Sequence, residues 1–156
     1  MLPKVKEEIA KALDFLVKGK IILYPTDTIW GIGCDATSQN AVDRIYRLKQ
    51  RVESKSMIVL LDDAGKLSDY VKDVPGIAVD LVNSIEKPLT VIYEGAKGLA
   101  KNVVAADGSI AIRVTRDEFC RELIRQFGKP IVSTSANISG MPDPVTFSQI
   151  PAAIIK

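Results

Sequence analysis

Four short segments of the chain carry the polar side chains that could bind a ligand or take part in a reaction. They are PTDTIWG (25–31), KQRVESKS (49–56), SIAIRV (109–114) and STSANISG (133–140). All four bring polar residues to predicted strand ends, which is where open α/β sheets usually bind their ligands. The four segments therefore predict one polar site built from several strands.

The segment KQRVESKS belongs to a run of cations. Lys49, Arg51 and Lys55 follow Arg44 and Arg47, so that five positive charges fall within twelve residues. Cations at a helix end complement the helix dipole, which would make their role structural. A phosphate-rich ligand would be drawn to the same charges, because arginine offers forked donors to phosphate.

Arg113 lies in a strand that is otherwise apolar. Ile110, Ile112 and Val114 share one face of this strand, and Ala111 shares the other face with Arg113. Such an arginine either faces solvent or is half-buried, and a half-buried guanidinium needs an anionic partner. We favour the anionic partner.

The segment STSANISG has small polar groups at alternating positions. Strand alternation places Ser133, Ser135 and Asn137 on one side and Thr134 on the other. These groups would offer donors and acceptors to one cavity. The structural alternative is a polar turn that ends at Gly140.

The segment PTDTIWG places Thr26 and Thr28 on either side of Asp27. It is either a turn with local hydrogen bonds or part of the site. Gly31 and Gly33 would let another group approach the next strand closely. No GxxxxGK[ST] loop occurs, and no GxGxxG precedes a helix, so a nucleotide site would need a different construction.

Composition excludes several classes of enzyme. The chain has no histidine, whereas Ser-His-Asp and Cys-His catalysis, HExxH metalloproteases and most catalytic zinc sites need imidazole. Catalysis would depend on positioning and charge, with Asp, Glu, Lys, Tyr or water for proton transfer. The net charge of +2 is too small to indicate nucleic-acid binding by itself.

The cysteines and the hydropathy pattern indicate a cytoplasmic protein. Cys34 and Cys120 lie far apart and form no CxxC motif, so we expect two reduced, buried thiols. No apolar run approaches the roughly 18 residues of a membrane span. The first residues lead into a charged amphipathic stretch, which is not the apolar core of a signal peptide.

The elements that must position these segments alternate between helix and strand. Helices are predicted at 4–18, from the N-cap Asn40 onward, at 64–70, at about 75–84 and at 116–127. Strands are predicted at 21–24, 29–36, 56–61, 89–93, 109–114 and 130–133. This order indicates one α/β domain, and the glycines and prolines around 89–114 favour a mixed sheet over a purely parallel one.

Taken together, the four segments resemble the YrdC-like family, the TsaC-type L-threonylcarbamoyladenylate synthases. Its signatures are P-T-[DE]-T-x-[YW]-G-[LI]-G, a K-x-R before a strand, an arginine within a strand, and S-T-S-A-N-x-S-G. Here they read Pro25 to Gly33, Lys49 to Arg51, Arg113, and Ser133 to Gly140. They occur in the family's order, and the resemblance covers nearly the whole chain.

The resemblance implies a fold and a reaction. The fold would be a single YrdC-like domain over 1–156, an open twisted mixed α/β sheet with helices packed on it and a concave basic face. A nucleotidyltransferase of this family joins L-threonine, bicarbonate and ATP into threonylcarbamoyl-AMP and pyrophosphate. Mg²⁺ would be bound through the nucleotide, and other proteins would carry the product into the t⁶A modification of tRNA.

The resemblance also implies roles for individual residues. The threonine contacts would be Thr28, Arg113 and Ser133. The catalytic residues would be Lys49 and Arg51. The ATP contacts would be Arg51, Lys55, Ser109, Ser135, Asn137 and Asp143.

The chain departs from the family's pattern at several positions. Val52 stands where many members have proline, Lys55 replaces an asparagine, and Leu60 replaces a histidine. A contact from that histidine is absent at the edge of the threonine pocket. The chain also stops at Lys156, where members usually continue, so we expect a truncated or minimal version.

Two other functions fit parts of the sequence. A module of the same fold that binds double-stranded RNA or tRNA without catalysis would use the basic residues at 44–55. Against it, Thr28, Arg113 and the STSAN hydroxyls are typical of a small-molecule cavity, and few aromatic residues are available for stacking on bases. The other alternative is a regulatory or structural relative that has lost its activity.

Overall fold

The computed structural model describes residues 3–25, 30–49, 57–85 and 89–135. Its helices are α1 (Pro3–Val17), α2 (Gln39–Lys49), α3 (Gly76–Ser84) and α4 (Glu118–Phe127), with a short 3₁₀ helix at Ala64–Asp69. Its strands are β1 (Ile22–Pro25), β2 (Trp30–Asp35), β3 (Ile58–Leu61), β4 (Thr90–Tyr93), β5 (Ile110–Val114) and β6 (Ile131–Ser135). Each predicted helix and strand is present, and its bounds differ by only one or two residues.

The strands form one six-stranded sheet in the order β1-β2-β6-β3-β5-β4. β3 and β5 run parallel, and every other neighbouring pair is antiparallel. β6 is inserted between β2 and β3, although it follows both of them in the chain. The predicted mixed α/β sheet with helices packed on it is therefore confirmed.

Side-chain alternation gives the sheet two apolar faces, each covered by helices. The α2 face packs against α2, α3 and the 3₁₀ helix. Its buried strand residues include Cys34, Val59, Ile110, Ile112 and Val132. The α1 face packs against α1 and α4, and its buried strand residues are Ile22, Tyr24, Leu60 and Ile131.

The helices cover only part of the α1 face. Ala111 and Arg113 on β5 are half-buried, and Ile92 on β4 is 73% exposed. The apolar cluster under α1 and α4 lies over β1, β6 and the middle of β3. The α1 face is therefore accessible to a ligand on the side of β5 and β4.

Side-chain caps fix the starts of α2 and α4. The Ser38 hydroxyl accepts a hydrogen bond from the Ala41 amide at 3.2 Å. Ser38 therefore caps α2, and the prediction of Asn40 as its cap is wrong, because Asn40 already lies inside the helix. The Asp117 carboxylate accepts a hydrogen bond from the Cys120 amide at 2.9 Å and caps α4.

Cys34 and Cys120 are buried thiols and not part of a disulfide, as predicted. They belong to the two different apolar clusters on opposite faces of the sheet. Burial raises the pKa of the Cys34 thiol, and the charge of Asp35 adds to the effect. A thiol in this state is a packing group and not a nucleophile.

Gly33 of β2 lets the ring of Tyr24 lie across the strand. A Cβ atom at Gly33 would lie 2.7 Å from Tyr24 Cε1 and 2.8 Å from the carbonyl oxygen of Val132. Tyr24 is only 1% exposed, and Val132 belongs to the paired backbone of β6. The close approach predicted at Gly33 is therefore the approach of the Tyr24 ring.

Replacing Gly33 by alanine should destabilise the protein by about 1–3 kcal/mol, because an added methyl group overpacks a core that cannot shift. Urea unfolding should show a lower midpoint with an unchanged m-value. Gly76→Ala is the matched control: nothing lies within 4 Å of its Cβ position, and alanine favours the first turn of α3. Equal midpoints for wild type and Gly33→Ala would contradict the packing of Tyr24 on Gly33.

Candidate active site

The predicted site segments join the sheet at one edge. β1 ends at Pro25, which pairs with Trp30, the first residue of β2. β6 ends at Ser135, which pairs with the next residue of β2. β3 runs antiparallel to β6 and parallel to β5, so both of these strands begin at the edge where β6 ends. Segments 26–29 and 50–56 and the residues after Ser135 are thus attached to this edge.

Arg113 and Ser133 lie on the α1 face, on two strands separated by β3. Leu60 of β3 pairs with Arg113, and Ile58, two residues earlier on the same face, pairs with Ser133. With roughly 4.8 Å between strands and 3.3 Å per residue, the two Cα atoms lie about 12 Å apart. The two side chains therefore lie on the same face of the sheet, on either side of β3.

The floor between these two polar residues is apolar. Leu60, at a position where many family members have histidine, is 3% exposed and packs with Ile131 in the cluster under α1 and α4. Ile58 is half-buried and packs against the same cluster. An apolar floor with a few convergent polar groups is typical of small-molecule sites.

Thr90 of β4 fixes the guanidinium of Arg113. The two residues pair across β4 and β5, and Arg113 Nε donates a hydrogen bond to Thr90 Oγ1 at 3.0 Å. Arg113 is half-buried, so the interpretation of a solvated surface arginine is wrong. Thr90 was not predicted from the sequence, because the register that joins it to Arg113 cannot be obtained from residue spacing.

The alternation predicted for the STSANISG segment is confirmed at Ser133 and Thr134. The register with β2 puts Ser133 on the α1 face and Thr134 on the α2 face. Ser133 is 7% exposed and Thr134 is 6% exposed. Ser133 is therefore a buried hydroxyl at the inner end of the site.

Tyr24 is a neighbour of Ser133 that the sequence did not single out. Burial raises the pKa of its phenol, and the Cys120 thiol adds to the effect, whereas the Ser133 hydroxyl and the Arg113 charge act in the opposite direction. Tyr24 Oη has no hydrogen-bond partner of normal geometry among the described residues, although the Ser133 hydroxyl lies close enough to lower the pKa of the phenol. The phenol stays protonated at neutral pH and remains a donor.

Ser109, a predicted ATP contact, directly precedes β5 and is held by Asp107. Its amide and its hydroxyl both donate to Asp107 Oδ1, at 2.9 Å and 2.6 Å. The hydroxyl bond and then the amide bond lower the pKa of the Asp107 carboxyl. Side chains alternate between the two faces along β5, so Arg113 and Ala111 share the α1 face. If this alternation is continued to the residue before the strand, Ser109 lies on the α1 face as well.

Two of the five clustered cations have described side chains. Arg47 forms an ion pair with Asp43 along α2. Arg44 lines a cavity of about 590 Å³ beside β1, together with Lys11 and Lys20. The phosphate site predicted from the five cations stays a prediction, because the side chains of the other three lie outside the described set.

The remaining predicted site residues cannot be located on the described surface. Lys49 is the last residue of α2 and Ser135 the last of β6, but their side chains lie outside the described set. The residues that lie wholly outside the described ranges are Thr28, Arg51, Lys55, Asn137 and Asp143. Their roles, and the basic character of the face, stay predictions.

The described residues offer neither a metal cluster nor a membrane-spanning helix. Within the described ranges, no group of three or more His, Cys, Asp or Glu side chains could hold a metal ion. None of the helices described is both long enough and apolar enough to cross a membrane.

The chain matches a known protein family over most of its length. The family model described as telomere recombination, which groups the Sua5, YciO and YrdC proteins, matches residues 14–155. This chain belongs to that family. The predicted YrdC-like membership is confirmed.

Curated relatives in this family include two bacterial threonylcarbamoyl-AMP synthases. The Pseudoalteromonas translucida protein is 40% identical over 135 residues, which are 85% of this chain and 72% of the relative. The Escherichia coli protein is 33% identical over 150 residues, which are 94% of this chain and 79% of the relative.

Solved structures of the family share the fold. P. abyssi Sua5, crystallised with L-threonine, is 29% identical with a TM-score of 0.87 over 93% of this chain. This chain spans only 43% of that longer protein. Escherichia coli YciO is 28% identical with a TM-score of 0.76, over 87% of this chain and 66% of its own.

Ser109→Ala should raise the pKa of Asp107, because the Ser109 hydroxyl is the largest cause of its lowering. The value should stay below 3.8, since the Ser109 amide bond remains. The side-chain carbon of Asp107, titrated by NMR, measures this directly.

The sign for stability follows from the lowered pKa. Asp107 stabilises the folded state above its unfolded pKa of about 3.9, and this contribution is lost as the pH falls through the lower folded value. Ser109→Ala should therefore lose less stability on acidification than wild type. Ser68→Ala, at an exposed serine of the 3₁₀ helix, is the control. An unchanged Asp107 titration in Ser109→Ala would refute the assigned bond.

Proposed function

We propose that this chain is a threonylcarbamoyl-AMP synthase, a nucleotidyltransferase acting on L-threonine, bicarbonate and ATP. The observation that carries the proposal is the placement of Arg113 and Ser133 on one face, about 12 Å apart across an apolar floor. The relatives that bear this enzyme's name, and the Sua5 complex with L-threonine, support it.

Arg113 would hold the carboxylate of threonine. With Nε bonded to Thr90, the guanidinium plane is fixed, and a fixed plane favours a forked pair with a carboxylate. The half-buried setting strengthens that pair, because charges attract more strongly where water is partly excluded. Ser133 and Thr28 would receive the hydroxyl end of the substrate.

The reaction proceeds without histidine. The threonine amine attacks the carbon of bicarbonate, and loss of water leaves an N-carboxylate. An oxygen of this carboxylate attacks the α-phosphorus of ATP, the bond to the bridging oxygen of the β-phosphate breaks, and pyrophosphate leaves. Alignment of the three reactants is the main work, and proximity contributes up to roughly 7–11 kcal/mol in ideal cases.

The nucleotide would lie toward the sheet edge where the signature segments join. Lys49, Arg51 and Lys55 would face its phosphates and stabilise the charge that develops at the α-phosphorus. The other ATP contacts in this proposal are Ser109, Ser135, Asn137 and Asp143. Mg²⁺ would arrive on the nucleotide phosphates and offset their charge.

The cellular setting belongs to the same proposal. The product would be passed to other proteins that modify tRNA with t⁶A, in the cytoplasm, and the enzyme itself would form one domain over 1–156. Direct binding of tRNA or double-stranded RNA is the competing function, and its affinity would fall steeply with salt.

The proposed function is tested by incubating the protein with L-threonine, bicarbonate and α-labelled ATP. We expect labelled threonylcarbamoyl-AMP, with release of one pyrophosphate for each product. Omission of threonine or of bicarbonate should abolish the product. Salt-sensitive RNA binding without any product would favour the binding module instead.

Arg113→Ala should weaken threonine binding by about 1.5–3 kcal/mol, the range for a hydrogen bond to a charged group. Arg113→Lys should weaken threonine binding by a smaller amount, because lysine keeps the charge but not the planar fork. ATP affinity should stay near the wild-type value for both variants. Isothermal titration calorimetry with each ligand measures these effects.

Arg121→Lys is the control, since Arg121 is exposed on α4 and is not one of the predicted site residues. It should bind threonine as wild type does. Normal threonine affinity in both Arg113 variants would refute the clamp. A large drop in melting temperature without a binding defect would show that Arg113 is structural.

A further inference from the structure

Tyr24 carries a buried hydroxyl without a hydrogen-bond partner among the described residues. The residue is 1% exposed, and its Oη forms no hydrogen bond of normal geometry to them. Buried polar groups are nearly always paired, and an unpaired one is unfavourable. A neighbouring hydroxyl that accepts the hydrogen of the phenol would therefore be stabilising.

Ser133 is the hydroxyl next to Tyr24 on this face. Tyr24 lies on the edge strand β1, and its ring leans over Gly33 of β2, where a Cβ atom would be 3.3 Å from Tyr24 Oη. Gly33 is paired directly with Ser133 of β6 on the same face. The Ser133 hydroxyl also lies close enough to Tyr24 to lower the pKa of the phenol. The two hydroxyls are therefore neighbours across Gly33.

We propose that Tyr24 is a positioning residue that donates a hydrogen bond to Ser133 Oγ when threonine is bound. The proposal rests on the proposed function. A serine hydroxyl has one hydrogen and two lone pairs. When Tyr24 donates to one lone pair, the hydrogen of Ser133 is directed to the substrate. Tyr24 then acts on specificity without touching the substrate.

The electrostatic state of Tyr24 agrees with this role. Burial raises the pKa of the phenol, so its proton is retained throughout the neutral range. A protonated phenol is a dependable donor, whereas a phenolate could only accept. Gly33 contributes to this arrangement, because any side chain at that position would displace the Tyr24 ring.

The test is a double-mutant cycle with Tyr24→Phe and Ser133→Ala, read out as kcat and KM for threonine. Tyr24→Phe should raise the KM for threonine about tenfold, since Ser133 loses its orienting donor. In the Ser133→Ala background the same change should have no further effect beyond about twofold, because coupled residues are not additive. The melting temperature of Tyr24→Phe should be unchanged or higher.

Tyr93→Phe is the matched control. Tyr93 Oη is also buried without a partner among the described residues, but Tyr93 lies on the α2 face, away from Ser133. Removal of the Tyr93 hydroxyl should leave kcat and the KM for threonine within twofold of the wild-type values. A general packing effect of losing a buried hydroxyl would instead move both variants alike.

The outcomes separate this proposal from the proposed function. If wild type forms product and the KM of Tyr24→Phe for threonine is within twofold of the wild-type value, the positioning role alone is overturned. Independent effects of the two substitutions on this KM overturn it as well. Wild type that forms no product but binds threonine overturns the synthase reaction, and threonine affinity by calorimetry then replaces KM in the cycle. Absence of both product and threonine binding overturns both proposals.

Discussion

The pairing of β6 with both β2 and β3 is the interaction on which the rest of the structure depends. β6 joins the β1–β2 pair to the β3–β5–β4 group, and the sheet would otherwise consist of two separate halves. Val132 pairs with Cys34 on one side and Val59 on the other, and all three enter the core under α2. The next residue, Ser133, must then face the opposite side.

The polar site exists because the helices leave part of the α1 face uncovered. α1 and α4 bury Leu60 and Ile131, whereas Ala111 and Arg113 on the neighbouring strand stay half-buried. A guanidinium in that position needs its donors occupied, and Thr90 takes one of them. The fold therefore places Arg113 and Ser133 on the same face as the apolar residues that α1 and α4 cover.

Much of the fold could be predicted because hydrophobic periodicity and turn residues determine it locally. The strand interior of Ile110 to Val114 and the alternation of Ser133 and Thr134 are confirmed at the level of single side chains. Strand register and helix caps were harder to predict from the sequence. Thr90 and Tyr24 reach the site only through cross-strand neighbours, and Ser38 outcompetes Asn40 as a cap because its hydroxyl meets the Ala41 amide. The extent of the domain, and the roles of residues outside the described ranges, stay predictions.

The central claim is that threonine binds on the α1 face between Arg113 and Ser133. A crystal structure of the protein with L-threonine tests it most directly. We expect the threonine carboxylate within about 3 Å of the Arg113 guanidinium nitrogens, with the amino acid lying over the half-buried Ile58. Threonine bound on the α2 face, or in the cavity beside β1 lined by Arg44, would contradict it.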